Sequence, residues 1–308
     1  MSLSASRLLI RADATRAIGA GHVMRTLVLA DAWTSALAGP AAVVGTFDLP
    51  FVRRRLLGSG IPIHERLPAD GETSVLVVDS YDESVRQEGG AWRAATLRVL
   101  VDDLGGAVPG GYDVVWNPGP LETGHLYPGF RGVHFGGEGW VPVRAGLPSW
   151  SGGEQGRVAV LLGGSGVSPA LTAAMSVLGE TLPATRFSGA GDWVPGSWDR
   201  LDADEPWAGI IRSSVLVTAA GTTLLEAANT GIPVVALCTA DNQTGLCDWA
   251  RGGDVPVIDI RDIADGATVP GLVAAALPTA RPLPRLENGA PALVEGLLAL
   301  AAKRGTAT

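Results

Sequence analysis

The chain has 308 residues, 46% of them hydrophobic but only 6% aromatic, enough for two domains whose cores are built mainly from Ala, Val, Leu and Ile. A net charge of −8 with no basic block argues against nucleic acid or an anionic membrane as principal partner, but leaves room for an anionic small ligand held by backbone N–H groups. Two cysteines, Cys238 and Cys247, are too few for a disulfide framework or a four-cysteine zinc site and read as free thiols. Neither a signal-like apolar stretch nor a window approaching a membrane span is found, and a cytoplasmic location is expected.

The first half alternates short apolar runs with helical patterns. Strands are expected at 8–10, 42–44, 75–78, 99–101, 114–115 and near 133–135, and helices at 22–38, 50–59 and 84–96. Such alternation implies a parallel sheet covered by helices on both faces. Residues 145–157, AGLPSWSGGEQGR, are polar and rich in Gly, Pro and Ser, and read as an interdomain linker. A second alternation follows. Its strands are expected at 158–162, 215–218 and 234–237, its helices at 169–180, from 222 to 229 and after 243, with a last helix at 289–303. The expected fold class is α/β, with two Rossmann-like domains whose parallel sheets face each other across a cleft. The domains would be 1–145, carrying a catalytic histidine, and 157–288, binding a nucleoside diphosphate, with 289–308 as a C-terminal helix and tail.

Residues 11–30 are the most informative stretch. An apolar strand enters a Gly-rich turn ending in Gly19-Ala20-Gly21-His22, and an apolar-periodic helix follows. A histidine at a helix N-terminus sits where the dipole disfavours an imidazolium, so a neutral ring there can take a proton near neutral pH. Gly21 lets a ligand approach the backbone. Asp13, just after the first strand, is a candidate to orient His22 or attacking water, or else supports the loop as an Asx-turn. Asp79-Ser80-Tyr81 and Asp102-Asp103-Leu104 each follow a buried strand, at the edge where α/β sheets present polar groups to ligands or simply cap a helix.

The second half carries two phosphate-type turns. Gly221 ends a buried strand, and Thr222 and Thr223 open a helix whose N-terminus suits a pyrophosphate. Glu226, one turn on, is placed to accept from ribose hydroxyls. Helix capping by threonine and a dipole-favourable acid account for the same residues without a ligand. Gly163-Gly164-Ser165-Gly166 is a second Gly-rich strand-to-helix turn. Asp241-Asn242-Gln243 follows another strand end and fits either a helix cap or sugar contacts. His64, His125 and His134 lack metal-ligand spacing, and Asp202-Ala203-Asp204 reads as a solvated loop.

Together, RADA…IG.GHVMR…LA, Val78-Asp79-Ser80-Tyr81, Val101-Asp102-Asp103-Leu104, Leu162-Gly163-Gly164-Ser165, Ala220-Gly221-Thr222-Thr223…Glu226 and Ala240-Asp241-Asn242-Gln243 resemble the UDP-sugar hydrolase family of pseudaminic acid biosynthesis and its spore-coat polysaccharide relatives. The resemblance covers about residues 7–250 and implies a glycosyltransferase-B fold. It implies His22 as general base, activating water that displaces a nucleoside diphosphate from the anomeric carbon with inversion. It places Gly163, Gly164, Ser165, Gly221, Thr222, Thr223 and Glu226 on the nucleotide. It places Asp13, Gly21, Tyr81, Asp241, Asn242 and Gln243 on the sugar side, with a UDP-sugar as substrate and neither metal nor cofactor. The same scaffold would also serve a glycosyltransferase with a small-molecule acceptor in a specialised-metabolite or surface-glycan pathway. The chain departs from the family at Thr26 (usually Cys), at Gly166 (usually Asp) and through Gly136–Arg144, where Trp140 and Pro142 imply a reshaped pocket.

Overall fold

The computed structural model describes residues 7–36, 39–67, 73–163, 169–261, 263 and 266–305. The chain divides into two compact units, Met1–Ala145 with Glu287–Thr308, and Gly146–Leu286.

In the first unit, seven strands form one parallel sheet among the described residues: β1 (Leu8–Ala12), β2 (Ala41–Val44), β3 (Ile63–His64), β4 (Thr73–Asp79), β5 (Ala95–Val101), β6 (Val114–Trp116) and β7 (Val133–Phe135). Between them lie α1 (Gly21–Ser35), α2 (Pro50–Gly58) and α3 (Glu83–Ala91). The strand order is β3-β2-β1-β4-β5-β6-β7. Both faces are covered, as the unbroken apolar runs require. Leu8 and Ile10 face a core shared with Val23, Leu29 and Trp33 of α1, while Leu9 faces Val78, Leu100 and Tyr112 on the other side. Full burial of such a side chain contributes roughly 1.5–3 kcal/mol.

The chain leaves β1 with β2 on one side and β4 on the other. The order therefore reverses between β1 and β4, and a crevice opens at their carboxyl ends. Strands run longer than expected and helix α3 stops at Ala91 rather than 96. Its Gly89 and Gly90 lie tightly against Val78, Tyr112 and Gly110, and Trp92 is already extended.

The second unit repeats the plan. Its elements are β8 (Glu154–Leu161), α4 (Pro169–Ser176), α5 (Leu178–Thr181), β9 (Arg186–Gly189), β10 (Asp199–Arg200), α6 (Trp207–Ile210), β11 (Ser213–Ala219), α7 (Thr222–Thr230), β12 (Pro233–Cys238), α8 (Thr244–Gly252), β13 (Val257–Asp259), α9 (Val269–Ala276) and β14 (Arg281–Pro282). The order is β10-β9-β8-β11-β12-β13, all parallel, with β14 antiparallel on β12. Here the order reverses between β8 and β11. The polar stretch expected to be linker up to 157 is strand from Glu154, because residues 154–157 extend β8 along its neighbours β11 and β9. The expected helix at 169–180 is broken at Val177 into α4 and α5.

The last helix, α10 (Ala290–Gly305), belongs to the first unit. Leu293, Val294 and Leu297 are fully buried in the core that contains α1, and Arg304 reaches Asp113 at 2.6 Å. It completes that core rather than forming a separate tail. Among the described residues no helix is long and apolar enough to cross a membrane.

Candidate functional site

His22 is the second residue of α1, and Ala20 at the N-cap supplies no side-chain cap. The free N–H groups of the first turn thus lie beside the ring. Thr26, one turn on, donates its hydroxyl to the His22 carbonyl at 2.8 Å. The helix begins where β1 ends, so His22 stands at the crevice between β1 and β4.

Asp79 is the last residue of β4 and is 1% exposed. Its Oδ1 accepts from His22 Nδ1. Arg25, one turn after His22 on the same helix face, donates to both oxygens of that carboxylate, Nε to Oδ2 at 2.6 Å and Nη2 to Oδ1 at 2.7 Å. Arg25 Nη1 donates to Asp103 Oδ2 at 2.8 Å, and the Tyr81 hydroxyl donates to Asp103 Oδ1 at 2.7 Å. Tyr81 also sets its ring edge-on to the imidazole, centroids 4.7 Å apart. Burial alone would raise the Asp79 carboxyl, but the Arg25 guanidinium and then His22 outweigh it and hold the group down at about 2. Asp79 is therefore an anion at neutral pH and acts as the acceptor for Nδ1–H. That choice of tautomer leaves the lone pair on Nε2, which makes no hydrogen bond among the described residues. A histidine so arranged can take a proton from a hydroxyl or a water.

The orienting partner is Asp79 and not Asp13. Asp13 instead pairs with Arg11 at 2.7 Å and accepts from the Thr46 N–H at 2.8 Å, tying the loop after β1 to the end of β2. The loop-supporting alternative thus describes its contacts. Gly21 is exposed at the first position of α1. Asp102 caps its own turn, accepting from the N–H groups of Leu104 and Gly105, and pairs with Arg86 at 2.7 Å. Trp140 packs on Phe135, ring centroids 4.3 Å apart, and its main-chain carbonyl accepts from the Trp116 indole N–H.

In the second unit, β8 and β11 are neighbours with Leu161 opposite Thr218. The turn after β8 and the start of α7 therefore share the carboxyl edge at the point where the strand order reverses. Gly163 has φ +88° there, and Gly164 and Ser165 lie outside the described residues. Gly221 precedes α7 with no side-chain cap, and Thr222 and Thr223 occupy the first turn, half-buried. Glu226 is buried, and its Oε2 accepts from the indole of Trp207 at 2.7 Å. Asp241–Gln243 form a single 3-10 turn after β12. Asp241 meets Arg261 at 2.9 Å, Gln243 Oε1 accepts from the N–H and hydroxyl of Thr239, and Asn242 lies between them. Asp202 accepts from the Asp204 N–H in an exposed turn, as a solvated loop does. Cys238 and Cys247 are buried and not in a disulfide.

Sequence reasoning did not single out Arg25. Its signal was the three-residue spacing from His22, which places both side chains on one helix face.

No protein-family model matches the chain, and no curated protein matches it in sequence. Solved structures do resemble it. MurG of Acinetobacter baumannii is 13% identical, with a TM-score of 0.59 over 96% of this chain and 99% of that one. The spinosyn rhamnosyltransferase SpnG is 16% identical, with a TM-score of 0.59 over 97% of this chain and 96% of that one. A UDP-N-acetylglucosamine 2-epimerase from Listeria monocytogenes, itself named as a probable assignment only, is 12% identical with a TM-score of 0.60 over 96% and 95%. The fold is glycosyltransferase-B. Each glycosyltransferase-B unit is Rossmann-like, and each has its strand-order reversal at the residues described above. These likenesses establish architecture; the chemistry has to be argued from the side chains.

Proposed function

We propose that this protein is a glycosyltransferase that takes a nucleotide-sugar donor, UDP-sugars first among them, and passes the sugar to the hydroxyl of a small acceptor. The observation that carries the reading is the His22–Asp79 pair at the crevice of the first sheet, with Asp79 held anionic by Arg25. In this reading Nε2 of His22 accepts the proton of the acceptor hydroxyl as its oxygen attacks the anomeric carbon. The bond from that carbon to the diphosphate oxygen breaks, and the sugar is inverted. The negative charge passes to the diphosphate. In the second unit the start of α7 at Gly221–Thr223, which has no side-chain cap, supplies N–H donors suited to it. Glu226, fixed by Trp207, is the candidate for the ribose hydroxyls. Glycosyltransferases recur among the structural neighbours, which favours transfer as the reaction.

The likeness of the opening segment, RADA to GHVMR, to the sugar-nucleotide hydrolases favours a second reading in which water is the nucleophile. One experiment separates the two. The enzyme is incubated with UDP-, TDP-, GDP- and CDP-sugars, with and without a panel of alcohols, and both nucleoside diphosphate and sugar products are quantified. Release that requires an alcohol and yields a conjugate supports transfer. Free sugar formed in step with the diphosphate without any alcohol supports hydrolysis. Absence of turnover together with absence of any nucleotide-induced thermal shift removes both.

A further inference from the structure

We infer that the second unit carries a binding site for a phosphate dianion, free or as the monoester of a small molecule, formed by Arg157 of β8 and Arg186 of β9. It lies at the amino edge of the sheet, at the other end of β8 from the turn that follows Leu161. The site is therefore separate from the edge to which the proposed nucleotide is assigned.

A cavity of about 330 Å³ opens there, with Glu154, Gly156, Arg157, Thr185 and Arg186 among its lining residues. That volume is within the range of small-molecule pockets. Arg157 and Arg186 are register partners in neighbouring parallel strands, so their side chains leave the sheet on the same face. Like charges directly opposite each other oppose strand pairing unless an anion lies between them. The anion at hand, Glu154, serves three guanidiniums at once. Its Oε1 accepts from Arg212 Nη2 at 3.0 Å, while its Oε2 stands 3.5 Å from Arg157 Nη1 and 3.7 Å from Arg186 Nη1. The last two separations are ion pairs longer than a good hydrogen bond.

Arg157 has donors to spare. Its side chain is 10% exposed, its Nη2 meets Asp199 Oδ2 at 3.0 Å, and its buried Nε has no hydrogen-bond partner. A buried guanidinium N–H without an acceptor is costly, and an oxygen in the cavity that Arg157 lines can supply one. Three guanidiniums thus face two carboxylates, in a chain whose net charge is −8. The local surplus is cationic, and guanidinium forks match phosphate oxygens two at a time. A carboxylate ligand would bring only what Glu154 already brings. A phosphate dianion brings a second charge and enough terminal oxygens to engage both Arg157 and Arg186.

Calorimetric titration of the full chain with inorganic phosphate and with glycerol 3-phosphate tests the site. Ionic strength is held constant at about pH 8, where both probes are mainly dianions. Saturable binding is expected. Arg186→Ala, at a side chain 65% exposed, is expected to raise Kd about ten-fold with the melting temperature unchanged. Glu154→Gln removes the carboxylate that competes for the same arginines and is expected to lower Kd about three- to five-fold. An ion-pair cluster that only ties the strands together would move neither constant. Gly221→Val, at the opposite edge, is expected to leave phosphate affinity unchanged. Tighter binding of glycerol 3-phosphate identifies a phosphorylated small molecule as the ligand, and equal or weaker binding identifies the free ion; either upholds the site. No saturable binding, a Kd unchanged in both Arg186→Ala and Glu154→Gln, or binding lost in Gly221→Val instead overturns it.

Discussion

Asp79 stands 57 residues after His22, at the end of a different strand, yet its carboxylate accepts from His22 Nδ1 and from two nitrogens of Arg25. The strand-order reversal between β1 and β4 makes the meeting possible, because it places the first turn of α1 directly over the end of β4. The imidazole is thereby fixed in rotation and in tautomer.

Two substitutions test that arrangement. His22→Asn removes the proposed base and is expected to lower turnover about 10²–10⁴-fold. Asp79→Asn offers an amide where an anion was, so Nδ1–H loses its acceptor, and a fall within about the same range is expected. Nucleoside diphosphate binding, followed by thermal shift, should survive both changes. Undiminished turnover in His22→Asn would remove this ring from the chemistry.

The acid limb of stability should carry the signature of Asp79. Burial would raise its pKa, but Arg25 and His22 bring it down to about 2 from 3.8. A carboxyl lowered on folding stabilises the native state above its unfolded pKa and loses that contribution as pH falls through the folded value. The loss is expected on falling from about pH 4 towards 2, on the order of 2 kcal/mol. Urea unfolding of wild type and Asp79→Asn across this range measures it, with the variant showing the smaller slope. Equal slopes would mean that the ion pair does not form in solution.

Arg25 is the sole cation that this carboxylate meets at hydrogen-bond distance among the described residues, and it is shared with Asp103. Arg25→Met leaves Asp79 buried without its cation and is expected to cost about 3–5 kcal/mol of stability. Arg25→Lys keeps the charge but cannot bond both oxygens in the plane of a fork, so an intermediate loss is expected. Chemical denaturation at neutral pH distinguishes the three proteins. A Met variant as stable as wild type would contradict the bonding described.

Gly221 and Gly163 separate fold from function in the second unit. A Cβ at Gly221 would meet nothing within 4 Å, and its φ of −133° suits any residue. Gly221→Val is therefore expected to fold with a loss below about 2 kcal/mol. It should nevertheless abolish the thermal shift given by a nucleoside diphosphate, because in the proposed reading the side chain stands where the diphosphate approaches α7. A full shift in this variant would move the nucleotide elsewhere. Gly163, at φ +88°, is different, since any side chain there is strained in the free protein.

Much of the architecture was legible before any coordinates. The runs that became β1, β2, β4, β5 and β6 are Val-, Leu- and Ile-rich, as strands buried on both faces must be, and the Gly-rich turn before His22 located the start of α1 within one residue. Elements with little apolar repeat were not legible: the two-residue strands β3 and β10, the one-turn helix α6 and the edge strand β13. Neighbouring strands rather than their own residues define them. Polar Glu154–Arg157 likewise pairs as strand because β11 and β9 flank it.

The site divides in the same way. Local sequence was enough to place His22 at a helix head and Gly221 before α7, because a turn and a helix start are decided within a few residues. The choice between Asp13 and Asp79 as partner of His22 was decided by strand order, a relation between segments far apart in the chain. Asp13 is nearer in sequence, but β1 turns it towards Arg11 and Thr46, while β4 delivers Asp79 to the ring. Sequence alone thus placed the histidine at the head of its helix; only the packed sheet could name the carboxylate that orients it, because hydrogen bonds between distant segments exist only once the strands have paired.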